Sequence, residues 1–130
     1  MSESKVVEGR RYSKSHEWVQ VDGEVATVGI TDHAQAELTD IVFVDLPPAG
    51  KAVVRGASVL VLESVKTVAD VYAPATGAVV EGNAQLKSHP ELINQDPYGA
   101  GWLFRIRMTE PLDPGFMDAA AYRAFLATEV

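Results

Sequence analysis

The sequence predicts a mainly β fold, a flattened barrel or sandwich with a few short peripheral helices and a closing C-terminal helix, on three observations. First, Val59 to Tyr72 is rich in β-branched residues with no Gly or Pro to break it. Second, several other short apolar segments are separated by Gly and Pro turn signals. Third, helical patterning is confined to brief stretches and the C-terminus. All of this fits one domain over residues 1–130, with residues 1–9 expected to form a loose N-terminal segment.

The first clear element is a hairpin, in which Trp18–Val21 and Val25–Ile30 flank the turn sequence Asp22-Gly23-Glu24. Thr31 or Asp32 then caps a short helix, with Gln35 at capping-box spacing from Asp32. A strand over Ile41 to Leu46 ends at Pro47-Pro48-Ala49-Gly50.

The Val59–Tyr72 run poses a length problem. Fourteen residues at ~3.3 Å each would span about 46 Å, whereas a globule of this length has a diameter of about 36 Å. The run must bend. No Asn-Gly or Asp-Gly marks the place, but Gly56 lies ten residues before Lys66 and Gly77 eleven after it, each beside a similar apolar run. Two antiparallel arms, Gly56 to Val65 and Thr67 to Gly77, are therefore expected to meet at Lys66, which the turn would present to solvent.

Beyond that hairpin, Pro74-Ala75-Thr76-Gly77 turns the chain into a strand over Ala78 to Glu81. Asn83 to Asn94 reads as two short helical pieces broken at Pro90, with Ser88 and Glu91 at capping-box spacing. Trp102 to Met108 reads as the final strand. Asp118 is the expected cap of the last helix, with Met117 and Tyr122 as a hydrophobic staple and Tyr122, Phe125 and Leu126 on one face.

Six runs, in order, resemble the glycine cleavage system H protein family across nearly the whole chain. They are Ser15-His16-Glu17-Trp18-Val19, Gly29-Ile30-Thr31-Asp32-His33-Ala34-Gln35, Asp40-Ile41-Val42-Phe43-Val44-Asp45-Leu46-Pro47, Glu63-Ser64-Val65-Lys66, Asp70-Val71-Tyr72-Ala73-Pro74 and Asp96-Pro97-Tyr98-Gly99. The resemblance sharpens the fold to the barrel-sandwich hybrid of lipoyl and biotinyl carriers. It implies lipoic acid in amide linkage on Lys66, and a protein that is no enzyme but shuttles the aminomethyl group of glycine. The implied partners are glycine decarboxylase (P protein), aminomethyltransferase (T protein), dihydrolipoyl dehydrogenase (L protein) and a lipoate-attaching enzyme, for which Glu63 is the expected recognition residue. The family also implies a cleft that receives the arm, lined by Ser15, Glu17, Ile30, Glu37, Leu38 and Asp70. Some relatives carry an imidazole where this chain has Glu37.

The residue types suit that chemistry. An accessible amine on a long stem forms an amide and loses its charge, and the chain has no cysteine to compete in thiol exchange. A parked cationic cargo calls for carboxylates and apolar walls. A biotin carrier typically shows Met-Lys-Met where this chain has Val65-Lys66-Thr67. The lipoyl domains of 2-oxo-acid dehydrogenases usually read Asp-Lys-Ala. A relay that donates lipoyl groups to other proteins is the alternative within the family. From another class, a hydrolase using His33 and Asp32 is disfavoured, because neighbours in sequence do not make a dyad and neither a serine-elbow nor a metal-spaced His-Glu motif occurs.

Eleven basic against eighteen acidic residues give a net charge of −7. That argues against nucleic acid as a partner and suits steering toward basic docking faces. Apolar runs fall short of the roughly 20 residues a membrane span needs, and the acidic start Met1-Ser2-Glu3-Ser4 is unlike an arginine-rich transit peptide. No metal site is expected. The protein is read as cytoplasmic, bacterial and monomeric.

Overall fold

The computed structural model describes residues 4–129. Nine strands form two sheets: β1 (Arg11–Tyr12), β2 (Glu17–Asp22), β3 (Val25–Ile30), β4 (Ile41–Val44), β5 (Ala52–Val53), β6 (Ser58–Ser64), β7 (Val68–Tyr72), β8 (Gly77–Gly82) and β9 (Phe104–Met108). The larger sheet has the order β1-β2-β3-β9-β8-β5 and the smaller β4-β6-β7, every pairing antiparallel. Neither sheet closes on itself among the described residues, so of the two expected forms the sandwich describes the hydrogen bonding. Between the sheets lies one apolar core that includes Val28, Ile41, Leu62, Val71, Phe104 and Ile106.

The sequence signals account for most boundaries. Asp22 pairs with Val25, so Gly23 and Glu24 form a two-residue loop, and Gly23 supplies its positive φ of 63°. Helix α1 (Asp32–Leu38) is capped by Thr31, whose hydroxyl accepts from the Ala34 N–H, while Gln35 donates to the Asp32 carboxylate instead of closing a box. Helix α3 (Ala119–Thr128) is capped by Asp118, which accepts from the Ala121 N–H. Tyr122 stacks on Tyr12 at 4.6 Å, and with Trp18, Tyr98 and Ala119 these rings make a second, aromatic cluster beneath α3. Met117, Phe125 and Leu126 pack against it as the staple and the apolar face predicted.

Three expectations are corrected. Strand β4 stops at Val44, and the last strand begins at Phe104, with Trp102 outside it under the Arg105 guanidinium at 3.9 Å. Ser88 closes a 3-10 turn over Ala84–Lys87 and makes no box with Glu91, the uncapped start of α2 (Leu92–Gln95). The short strands β1 and β5 carry too few residues for a periodic signal. Of the N-terminal segment expected to be loose, residues 1–3 lie outside the described residues, and residues 5–8 make the following contacts. Val7 exchanges hydrogen bonds with the Tyr12 hydroxyl, Lys5 accepts from the Tyr98 hydroxyl, and Glu8 pairs with Arg123 at 2.6 Å.

Gly29 shows how tightly β2 and β3 meet that aromatic cluster. A Cβ built there would lie 2.5 Å from the indole of Trp18, whose Nε1–H is held by the Pro97 carbonyl. Gly29→Ala should therefore cost about 1–3 kcal/mol by overpacking, read as a lowered midpoint in urea unfolding.

Candidate functional site

Lys66 stands at the apex of the β6–β7 hairpin, exposed, with Glu63 opposite Val68 as the last strand pair before the turn. The turn needs no glycine, since neither Val65 nor Lys66 has a positive φ. Ser64 makes it instead. Its N–H donates to the Thr67 carbonyl at 2.8 Å, and its hydroxyl oxygen accepts from the N–H groups of Lys66 and Thr67 at 3.3 and 3.1 Å. The Val65 N–H is held by the Asp40 carbonyl at 3.0 Å, pinning the tip to the chain entering β4. The missing Asn-Gly signal thus had a substitute, a serine whose side chain caps the reversal.

Glu63 lies exposed on the outer face of β6, between Phe43 of β4 and Val68 of β7 in register. Val65 is 65% exposed and Val68 60%, so the tip of the hairpin carries two exposed valines beside the lysine.

The residues expected around a docked arm, Ser15, Glu17, Ile30, Glu37, Leu38 and Asp70, all line one cleft of about 160 Å³. It opens where the β1–β2 turn, the end of β3, α1 and the inner face of the hairpin meet. His16, Ala34, Leu62, Ala69 and Val71 complete its wall and were missed from sequence: His16, Ala34 and Val71 sit within matching runs, but only the fold turns them, with Leu62 and Ala69, toward one cleft. Apolar walls and three carboxylates make the cleft a fit for a tether carrying a cationic end, and no lysine or arginine lines it.

The three acids differ. Glu17 is 3% exposed and fully engaged: the hydroxyls of Ser13 and Ser15 donate to one oxygen, the latter at 2.6 Å, and the Tyr72 N–H donates to the other at 3.2 Å. Asp70 is exposed and accepts from the Ser58 hydroxyl at 2.8 Å. Glu37, also exposed, lies 3.3 Å from His33 Nε2.

His33 does not pair with Asp32. The Asp32 carboxylate accepts from the Lys5 N–H and from Gln35, so the hydrolytic dyad is not formed. His16, in a left-handed conformation with φ 70°, hydrogen-bonds Tyr122 through Nδ1 at 2.8 Å. Burial holds its pKa below the ordinary imidazole value.

The fold and this hairpin define the chain as a carrier scaffold, a two-sheet sandwich that presents one lysine at a tied turn beside an acidic cleft. The family model described as glycine cleavage H-protein matches residues 10–129. The glycine cleavage system H protein of Symbiobacterium thermophilum is 52% identical over 88% of this chain and 91% of its own, and that of Thermotoga maritima 50% identical over 92% and 98%. The crystal structure of a glycine cleavage system H protein from Mycobacterium marinum superposes with a TM-score of 0.87 at 38% identity, covering 94% of this chain and 99% of that one. The chain belongs to the glycine cleavage H-protein family, whose members are lipoyl carriers of the glycine cleavage system and not enzymes.

Glu17→Gln should destabilise the fold by roughly 1–3 kcal/mol, since an amide turns a donor toward groups that already donate. Denaturant unfolding reads this directly, with Glu37→Gln as the exposed control expected within about 0.5 kcal/mol of wild type.

Proposed function

We propose that Lys66 carries lipoic acid in amide linkage and that the chain shuttles the aminomethyl group of glycine between the enzymes of the cleavage system. Glycine decarboxylase would load it, aminomethyltransferase would take it on, and dihydrolipoyl dehydrogenase would reoxidise the dithiol. The observation that carries this reading is the exposed Lys66 at the apex of a turn locked by Ser64 and Asp40, on the hairpin whose Leu62, Ala69, Asp70 and Val71 line an acidic cleft. When bound, lipoate supplies a disulfide–dithiol couple on a long flexible tether.

The remaining work falls to this chain's own residues. Asp70 lies four residues from Lys66, about 13 Å along an extended strand, within reach of a swinging arm. Its carboxylate and that of Glu37 attract a cationic group, while Ile30, Leu38, Leu62 and Val71 exclude water from it. Glu17, saturated by donors, positions the β1–β2 turn and lends the cleft negative charge. Ser15 contributes by holding Glu17.

Glu63 is proposed as the acid read by the lipoate-attaching enzyme, being exposed and three residues from the lysine. Acylation removes one positive charge, taking the net from −7 to −8, which favours steering toward basic docking faces on each partner. No helix among the described residues is long and apolar enough to cross a membrane. A monomer acting in the bacterial cytoplasm, folded as one domain, completes the reading.

Lys66→Arg keeps the charge and the turn but removes the acylatable amine. It should leave the unfolding midpoint within about 0.5 kcal/mol of wild type and abolish glycine cleavage in a system reconstituted with the other three components. Intact mass should show a lipoyl increment on wild type and none on the variant. Turnover by the Lys66→Arg protein would sink the proposal.

A further inference from the structure

At the edge of the cleft four side chains from three parts of the sequence converge. His16 Nε2 lies 3.2 Å from Glu129 Oε1, and His33 Nε2 lies 3.4 Å from the same oxygen and 3.3 Å from Glu37 Oε1. The donor atoms of His16, His33 and Glu37 are all within 4.8 Å of one another. A zinc ion bound tetrahedrally at about 2.0–2.2 Å from nitrogen and oxygen ligands holds those ligands roughly 3.3–3.6 Å apart. The three contacts between a histidine and a carboxylate, 3.2–3.4 Å, sit at or just below that spacing, and Glu129 meets the group through the two histidines.

Two features distinguish the group from a surface ion pair. His33 Nε2 is buried yet makes no hydrogen bond, although two carboxylate oxygens stand close by. Its N–H direction meets neither oxygen, as expected of a nitrogen that faces a shared centre. His16 has its other nitrogen, Nδ1, engaged by the Tyr122 hydroxyl, which also bonds Thr31 Oγ1 at 2.8 Å. That arrangement orients an imidazole and leaves Nε2 to face the group, as outer partners do for ligating histidines.

We propose that His16, His33 and Glu37, with Glu129 closing on the two histidines, form a binding site for a divalent cation of the zinc type. The ion would tie the end of α3 to α1 and the β1–β2 turn, and would neutralise Glu37 where it faces the cleft. This site needs neither the arm nor its cargo.

The test titrates the full chain, freed of chelators, with Zn²⁺ by calorimetry and with Co²⁺ as an optical reporter of tetrahedral nitrogen and oxygen ligation. One ion per chain is expected. His33→Asn and Glu129→Gln should each weaken binding at least tenfold, while Lys66→Arg, which disables the proposed carrier role, should bind as wild type. Glu129 is near the chain's end and partly exposed, so Glu129→Gln keeps the test valid even if His33→Asn fails to fold. Absence of saturable one-to-one binding, or equal affinity in folded Glu129→Gln and wild type, would overturn the proposal.

Discussion

The buried Glu17 carboxylate is the contact on which the rest of the site depends. It leaves β2, in the larger sheet, and accepts the Tyr72 N–H of β7, in the smaller one, so a single side chain crosses between two sheets that share no strand. Hydrogen bonds to an ionised group contribute about 1.5–3 kcal/mol each, against a total stability of only ~5–15 kcal/mol for a domain. The serines that fill its remaining capacity lie in the β1–β2 turn, which also carries His16. One carboxylate therefore registers the turn, the sheets and the root of the lysine hairpin together.

The hairpin follows a similar economy. A glycine turn would have been simpler to read in the sequence, but it would leave the tip with more conformational freedom. Ser64 and the Asp40 carbonyl hold the backbone instead, so motion at the apex is left to the lysine side chain. In the proposed role that division is useful: a stiff base would define where the amine sits, and the flexible stem would do the searching.

Legibility in the sequence tracked the range of the interactions concerned. The Gly23 turn and the Thr31 and Asp118 caps are local, and turn or cap chemistry exposes them, while the bend at Lys66 shows through the length of its run and the glycines that flank it. Strands β1 and β5, two residues each, have no periodicity to detect, and the Ser88–Glu91 spacing proved a coincidence of composition. The acids of the cleft were named through family resemblance; their convergence is tertiary, since residues 15–17, 30–38 and 70 meet only once the two sheets face each other. The histidine cluster was illegible for the same reason, being closed by Glu129, more than a hundred residues from His16. The contacts of the N-terminal stretch over residues 5–8 leave no local signal either, since two of its backbone partners are Tyr98 and Arg123, far along the chain.

Cleft size sets how firmly any tether can be held. Sites that retain small molecules usually enclose about 300–1,000 Å³, and this one offers about 160 Å³. A guest there would keep much of its surface in water, and two of the three acids facing it are solvent-exposed, where each ion pair contributes only ~0–1 kcal/mol. In the proposed role that weakness is the useful property. Shielding needs only enough contact to exclude water from one end of the arm, whereas a deep pocket would hold the arm back from the next enzyme. The scaffold's rigidity and the cleft's shallowness are then complementary, the first fixing where the arm returns and the second keeping each return brief.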